Sequence, residues 1–98
     1  MATYVATIKF TAQGTAAIRD TTRRAAAFKS AAKKLGVKVT DIFWTLGAFD
    51  GLLILDAPDD ETTTALMLHL AALGNVSTTT ARAFNAAEMD QVLVKLGA

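Results

Sequence analysis

The chain contains no cysteine and one histidine in 98 residues. Thiolate nucleophiles, disulfide scaffolds, Cys-based zinc sites and Cys-ligated iron–sulfur clusters are therefore excluded. The remaining metal-ligating inventory is His69 plus carboxylates scattered over turns and caps, so no metal and no cofactor is expected. Long apolar runs are also missing: Ala65 to Leu73 is interrupted by His69 and reaches about half the length that a bilayer requires. No membrane partner is expected. The opening Met1-Ala2-Thr3-Tyr4 lacks the basic and apolar segments of a signal peptide, which predicts a cytoplasmic protein.

What is present is apolar. Hydrophobic residues make up 52% of the chain and the mean hydropathy is +0.34, values that exclude intrinsic disorder and predict one domain over residues 1–98. The net charge is +1, yet it is unevenly placed. Arg19, Arg23, Arg24, Lys29, Lys33, Lys34 and Lys38 face the single acid Asp20, whereas Asp41, Asp50, Asp56, Asp59, Asp60 and Glu61 form a stretch without a cation. The basic run invites a nucleic-acid reading. Near-zero total charge and the lack of stacking aromatics interleaved with the cations on the face opposite the apolar stripe argue instead for a solvated helix face or subunit contacts.

Thr3 to Phe10 is β-rich and ends at Thr11-Ala12-Gln13-Gly14, where the glycine is read as breaking the strand. A helix is predicted from about Thr15 to Leu35, its apolar stripe being Ile18, Ala25, Phe28, Ala32 and Leu35, with Gly36 as the stop. Val37 to Leu46 and Leu52 to Leu55 form a hairpin across Gly47 to Gly51. A second helix starts at Pro58-Asp59-Asp60-Glu61 and ends at Gly74-Asn75; its inward stripe is expected to hold Thr62, Leu66, His69, Leu70 and Leu73, with Met67 and Leu68 turned elsewhere. Val76 to Phe84 is the fourth strand. Asn85 and Glu88 have capping-box spacing ahead of a short helix carrying Met89, Val92, Leu93 and Leu96.

This order is βαββαβ plus a C-terminal helix. It predicts an α+β, ferredoxin-like fold with a four-stranded antiparallel sheet and two helices on one face. The strands do not alternate as a sheet with one wet face should. Ile42, Phe43, Trp44 and Leu46, like Leu52 to Leu55 with Ile54 among them, load both parities, so the helix-free face is expected to bury against a second copy, with Trp44 as the interface anchor.

The segment Trp44-Thr45-Leu46-Gly47-Ala48-Phe49-Asp50-Gly51 resembles the GYD-domain family, whose hairpin reads Trp-Thr-Leu-Gly-x-Tyr-Asp-Gly. The likeness extends to Phe10-Thr11, Gln13-Gly14, Arg24, Phe28, Lys34-Leu35-Gly36, Ala57-Pro58-Asp59-Asp60, Leu73-Gly74-Asn75-Val76 and Arg82-Ala83-Phe84. Phe49 departs from the family's tyrosine. The resemblance implies a small bacterial protein of the dimeric α+β barrel kind, and it transfers no catalytic residues.

Candidate site residues each carry two readings. His69 is a general base or haem ligand, or else a histidine packed partly into the core, and no carboxylate lies three or four residues away to favour the first. Asp50 is a carboxylate at a pocket rim, or half of an Asp-Gly turn that needs positive φ. Trp44 stacks a planar ligand or anchors a core or interface. Thr78, Thr80 and Arg82 share one strand parity, giving a stripe that binds a carboxylate or phosphate, or a charge-protected edge. Two functions remain in view: a homo-oligomer (a homodimer or larger) without a catalytic constellation, and a cofactor-independent enzyme holding a small, largely apolar or aromatic ligand between sheet and helices.

Overall fold

The computed structural model describes residues 1–97; Ala98, the last residue of the expected domain, lies outside them. Four strands, β1 (Ala2–Phe10), β2 (Lys38–Trp44), β3 (Gly51–Ala57) and β4 (Val76–Ala83), form one antiparallel sheet in the order β2-β3-β1-β4. This is the ferredoxin-like arrangement, with β1 central because it pairs with both β3 and β4.

Strand parity decides the two faces. Tyr4, Ala6 and Ile8 of β1 pair with Leu55, Leu53 and Gly51 of β3, and all six are buried. Phe28, Ala32, Leu66 and Met67 close over them from the helices, forming one core with Val37 and Ala57. On the other face the alternate residues Val5, Leu52 and Ile54 are half-buried and Phe43 is exposed. No helix covers this side.

The first helical region departs from the expected single helix. It divides into α1 (Ala12–Ala16), a 3₁₀ turn at Ile18–Asp20 and α2 (Thr21–Lys34). Thr11 caps α1 by accepting the Gly14 amide at 3.1 Å. At the other end Arg24 donates to the Gly14 carbonyl at 3.3 Å and to the Ala17 carbonyl at 2.6 Å, the latter also accepting the Asp20 amide at 3.0 Å. A side chain seven residues downstream thus stabilises the break. Ile18 and Leu35, expected on the inward stripe, are exposed, Ile18 because it lies in the 3₁₀ turn ahead of α2 and Leu35 because it is the C-cap residue beyond Lys34.

In α3 (Asp60–Ala72) the inward face is rotated from the expected one. Thr63, Leu66 and Met67 are buried, whereas His69, Leu73 and Leu68 are exposed. Alanine, threonine and leucine leave the amphipathic pattern weak, so packing sets the rotation instead of composition. Asp59 caps α3 by accepting the Thr62 amide at 2.7 Å, and hydrogen bonds from Thr62 hold its carboxyl below the usual carboxylate range. Tyr4 donates its hydroxyl to Asp60, tying β1 to the same turn; this bond and burial push the phenol up.

Leu46 lies in the loop after β2 and is fully exposed. The final helix, α4 (Ala86–Val94), carries the Asn85–Glu88 capping box, its two bonds measuring 2.8 and 3.0 Å. All of its residues except Glu88 are exposed, including Met89 and Leu93. The radius of gyration of 14.9 Å exceeds the roughly 13 Å of a compact chain this long, as a projecting helix requires.

Candidate functional site

Small residues on α2 and a glycine at the start of β3 leave space between helices and sheet. Ala25, Ala27 and Ala31 line one wall, and Gly51 sits opposite Trp44 across the β2–β3 ladder. A cavity of about 280 Å³ results. Its remaining walls are mostly apolar, with Phe28, Ile42, Leu53 and Leu70 prominent. Five polar groups interrupt this lining: Thr21, Arg24, Asp50, His69 and Asn75. Such a mixture, apolar walls with few polar groups, is the usual composition of a small-molecule site.

Trp44 belongs to this cavity and not to the helix-free face, which corrects its expected role as interface anchor. It shares strand parity with Ile42, on the helix side, and its indole Nε1 donates to the Thr21 hydroxyl at 2.9 Å. Half-exposed, the ring forms part of the mouth of the cavity. The intervening residue Phe43 points the other way.

Asp50 also departs from its turn explanation. Neither Asp50 nor Gly51 has positive φ; in this loop only Gly47, at 118°, does. The Asp50 carboxylate instead accepts the Phe10 amide at 2.8 Å, and its own amide donates to the Ile8 carbonyl at 2.7 Å. These bonds fasten the hairpin loop to the end of β1. Thr45 reinforces the loop, donating its amide to the Asp50 carbonyl at 3.0 Å and its hydroxyl to the Phe49 carbonyl at 2.5 Å. Gly51 keeps the ladder close: a Cβ there would lie 3.2 Å from the Phe43 carbonyl oxygen, a tight contact that β2 would have to give by a few tenths of an ångström to admit.

His69 edges the same cavity from the last turn of α3 and is exposed, in place of the partly buried position expected for it. Trp44, Asp50 and His69 are therefore brought to one site. Ile54, Thr78, Thr80 and Arg82 are not among its lining residues. Ile54 lies on the helix-free face beside Val5. Thr78 and Thr80 pair with Ile8 and Ala6. Arg24, which the sequence offered as one of the cations of a charged helix and among the residues of the family resemblance, and Thr21, which it did not single out, complete the site. Their signal was weak because a cation among six others on one segment carries no mark of its own.

Arg82 binds a carboxylate, and it is one from this chain. Its guanidinium pairs with Glu88 at 2.9 Å, stacks over Phe84 at 4.5 Å and over Tyr4 at 5.8 Å, and donates to the Thr3 carbonyl at 3.2 Å. This cluster holds α4 to the sheet. The Asn85 amide first, and then Arg82, hold the Glu88 carboxyl below the usual 4.5. A depressed folded pKa contributes stability that is present above the unfolded value and lost as pH falls through the folded one. The NMR signals of Ala86–Val94 should therefore lose helical shifts in acid below about pH 4.5, before the sheet unfolds. Simultaneous loss of helix and sheet would contradict the tie.

Among the described residues no group of three His, Cys, Asp or Glu side chains is placed to hold a metal ion, and no helix is long and apolar enough to cross a membrane. Neither a curated protein nor a solved structure matches the chain. The knots that shape the cavity lie where β1 meets α1 and Gly74-Asn75, and where Trp44 to Gly51 closes the hairpin. A family model, the GYD domain, matches residues 4–93 and so spans both knots and every residue of the cavity. By that match, which covers nearly its whole length, this chain belongs to the GYD domain family.

Proposed function

We propose that the chain binds a small, predominantly apolar molecule in the cavity between α2, α3 and the sheet. The observation that carries this is the cavity itself, open beside Trp44 and His69, with Asp50 and Arg24 in an otherwise apolar lining. A dry cavity of about 150 Å³ admits one benzene ring. The observed 280 Å³ therefore suits two fused rings. Such a ligand has about ten heavy atoms, and about 0.6 kcal/mol per atom, between the bounds for the smallest ligands and for drug-sized ones, corresponds to a Kd of tens of micromolar.

Trp44 supplies the reporter, since the only indole N–H of the chain bonds to Thr21 at the mouth. Titration with 2-naphthamide, a neutral planar bicycle, should shift that single indole resonance and saturate. Ala25→Leu fills the cavity from α2 with a good helix former, so it should abolish the shift while the protein stays folded. No shift in the wild type up to millimolar probe would refute the reading.

A second reading concerns assembly. Val5, Leu52, Ile54 and Phe43 make a continuous apolar area on a sheet face that no helix covers, and soluble monomers rarely leave such a face wet. The chain is proposed to pair with a second copy through this face. Light scattering behind size exclusion should give twice the 10.3 kDa chain mass. Ile54→Lys, which puts an unpaired charge on the desolvated patch, should give monomers. A wild-type monomer would refute the pairing.

A further inference from the structure

We infer that the ligand of this cavity is an anion, an apolar bicycle carrying a carboxylate, and that Arg24 is its anchor; this rests on the cavity reading above. Arg24 is the one cation of the basic segment that is drawn in from solvent, half-buried against α1 and lining the cavity. Its guanidinium has five N–H donors. The Ala17 and Gly14 carbonyls occupy two, so the planar group is held in place with donors to spare. Those carbonyls are neutral. Among the described residues the ion pairs are Arg23 with Asp20 and Arg82 with Glu88, so the charge of Arg24 has no carboxylate against it. A guanidinium partly withdrawn from water beside apolar walls is stabilised by an anion that fits the same space.

Asp50 is the competing charge. A ligand ammonium aimed at it would reverse the preference, so the two cases are separable. Two features favour the anion. The Asp50 carboxylate already accepts a backbone amide at 2.8 Å and serves to fasten the loop to β1. Arg24 is the fourth residue of α2 and closes its first turn, near the positive end of that 14-residue helix's dipole.

The test compares three probes of one shape by calorimetry: 2-naphthoate, the neutral 2-naphthamide and the cationic 2-naphthylmethylamine. Wild-type protein should bind the carboxylate about tenfold or more tighter than the amide, the span of one charge-assisted hydrogen bond. Arg24→Gln should bring the ratio of carboxylate to amide affinity down to about one. Arg24 also caps α1, so Arg24→Lys is measured beside it; this variant keeps the charge and should keep part of the preference. Equal affinity for carboxylate and amide, or tighter binding of the amine, would overturn the inference and leave the cavity reading standing. Failure of all three probes would overturn both. A carboxylate preference that survives in folded Arg24→Gln would remove Arg24 as the anchor.

Discussion

Gly14→Ala should cost the fold about 3 kcal/mol, the upper range for forcing extra atoms into a closed space, and lower the melting temperature by about 10–20 °C. Gly14 does not have positive φ, so conformational freedom is not the reason. The backbone of Asn75 lies against it: an added Cβ would meet the Asn75 carbonyl oxygen and stand 2.9 Å from the carbonyl carbon. Neither strand can withdraw cheaply. The Thr11 amide donates to Asn75 at 3.1 Å, the Thr11 hydroxyl to Gly74 at 2.6 Å, and the Gln13 side chain to Leu73 and Asn75 at 3.0 Å each. The expected strand-breaking role of Gly14 is thereby replaced by close approach inside α1. Gly36→Ala is the control, because its positive φ of 75° imposes strain with no atom within 4 Å. Thermal denaturation of both variants should show the larger drop for Gly14→Ala; equal drops would remove the steric argument.

Leu66→Ala should cost about 2–5 kcal/mol, the range for deleting a fully buried leucine and leaving a cavity. Leu66 is 0% exposed, pressed by α3 onto the sheet near Leu55, which is equally buried. Two residues along, Leu68 is 65% exposed, and Leu68→Ala should stay within about 0.5 kcal/mol. Urea titrations of the pair measure the inward face of α3 directly. A larger effect at Leu68 would mean that this side is covered in solution, as an assembly through α3 would make it.

Some elements were legible because their signals are local. The β-rich Thr3 to Phe10, the acids before α3, and the Asn85–Glu88 spacing each specify structure within one turn or strand. Leu52 to Leu55 showed apolar residues at both parities, and the sheet places them alternately against the core and on the helix-free face. The break between α1 and α2 was not legible, since it depends on Arg24 reaching back to two carbonyls. The rotation of α3 was equally hidden, because an apolar helix rich in alanine and threonine presents several faces of similar hydropathy.

By itself the sequence determined the order of elements, the absence of cysteine chemistry and the βαββαβ pattern, because periodicity and capping are read from neighbouring residues. Only the tertiary structure decided which residues share a site. Strand register turned Trp44 toward the helices and Phe43 away from them. The Phe10 amide made Asp50 a fastener, and Glu88 claimed Arg82 for the fold while Arg24 was left facing the cavity. The physical reason is that hydrogen bonds and charge partners join residues 40 or more positions apart as readily as neighbours, and a one-residue step along a strand reverses the face a side chain serves.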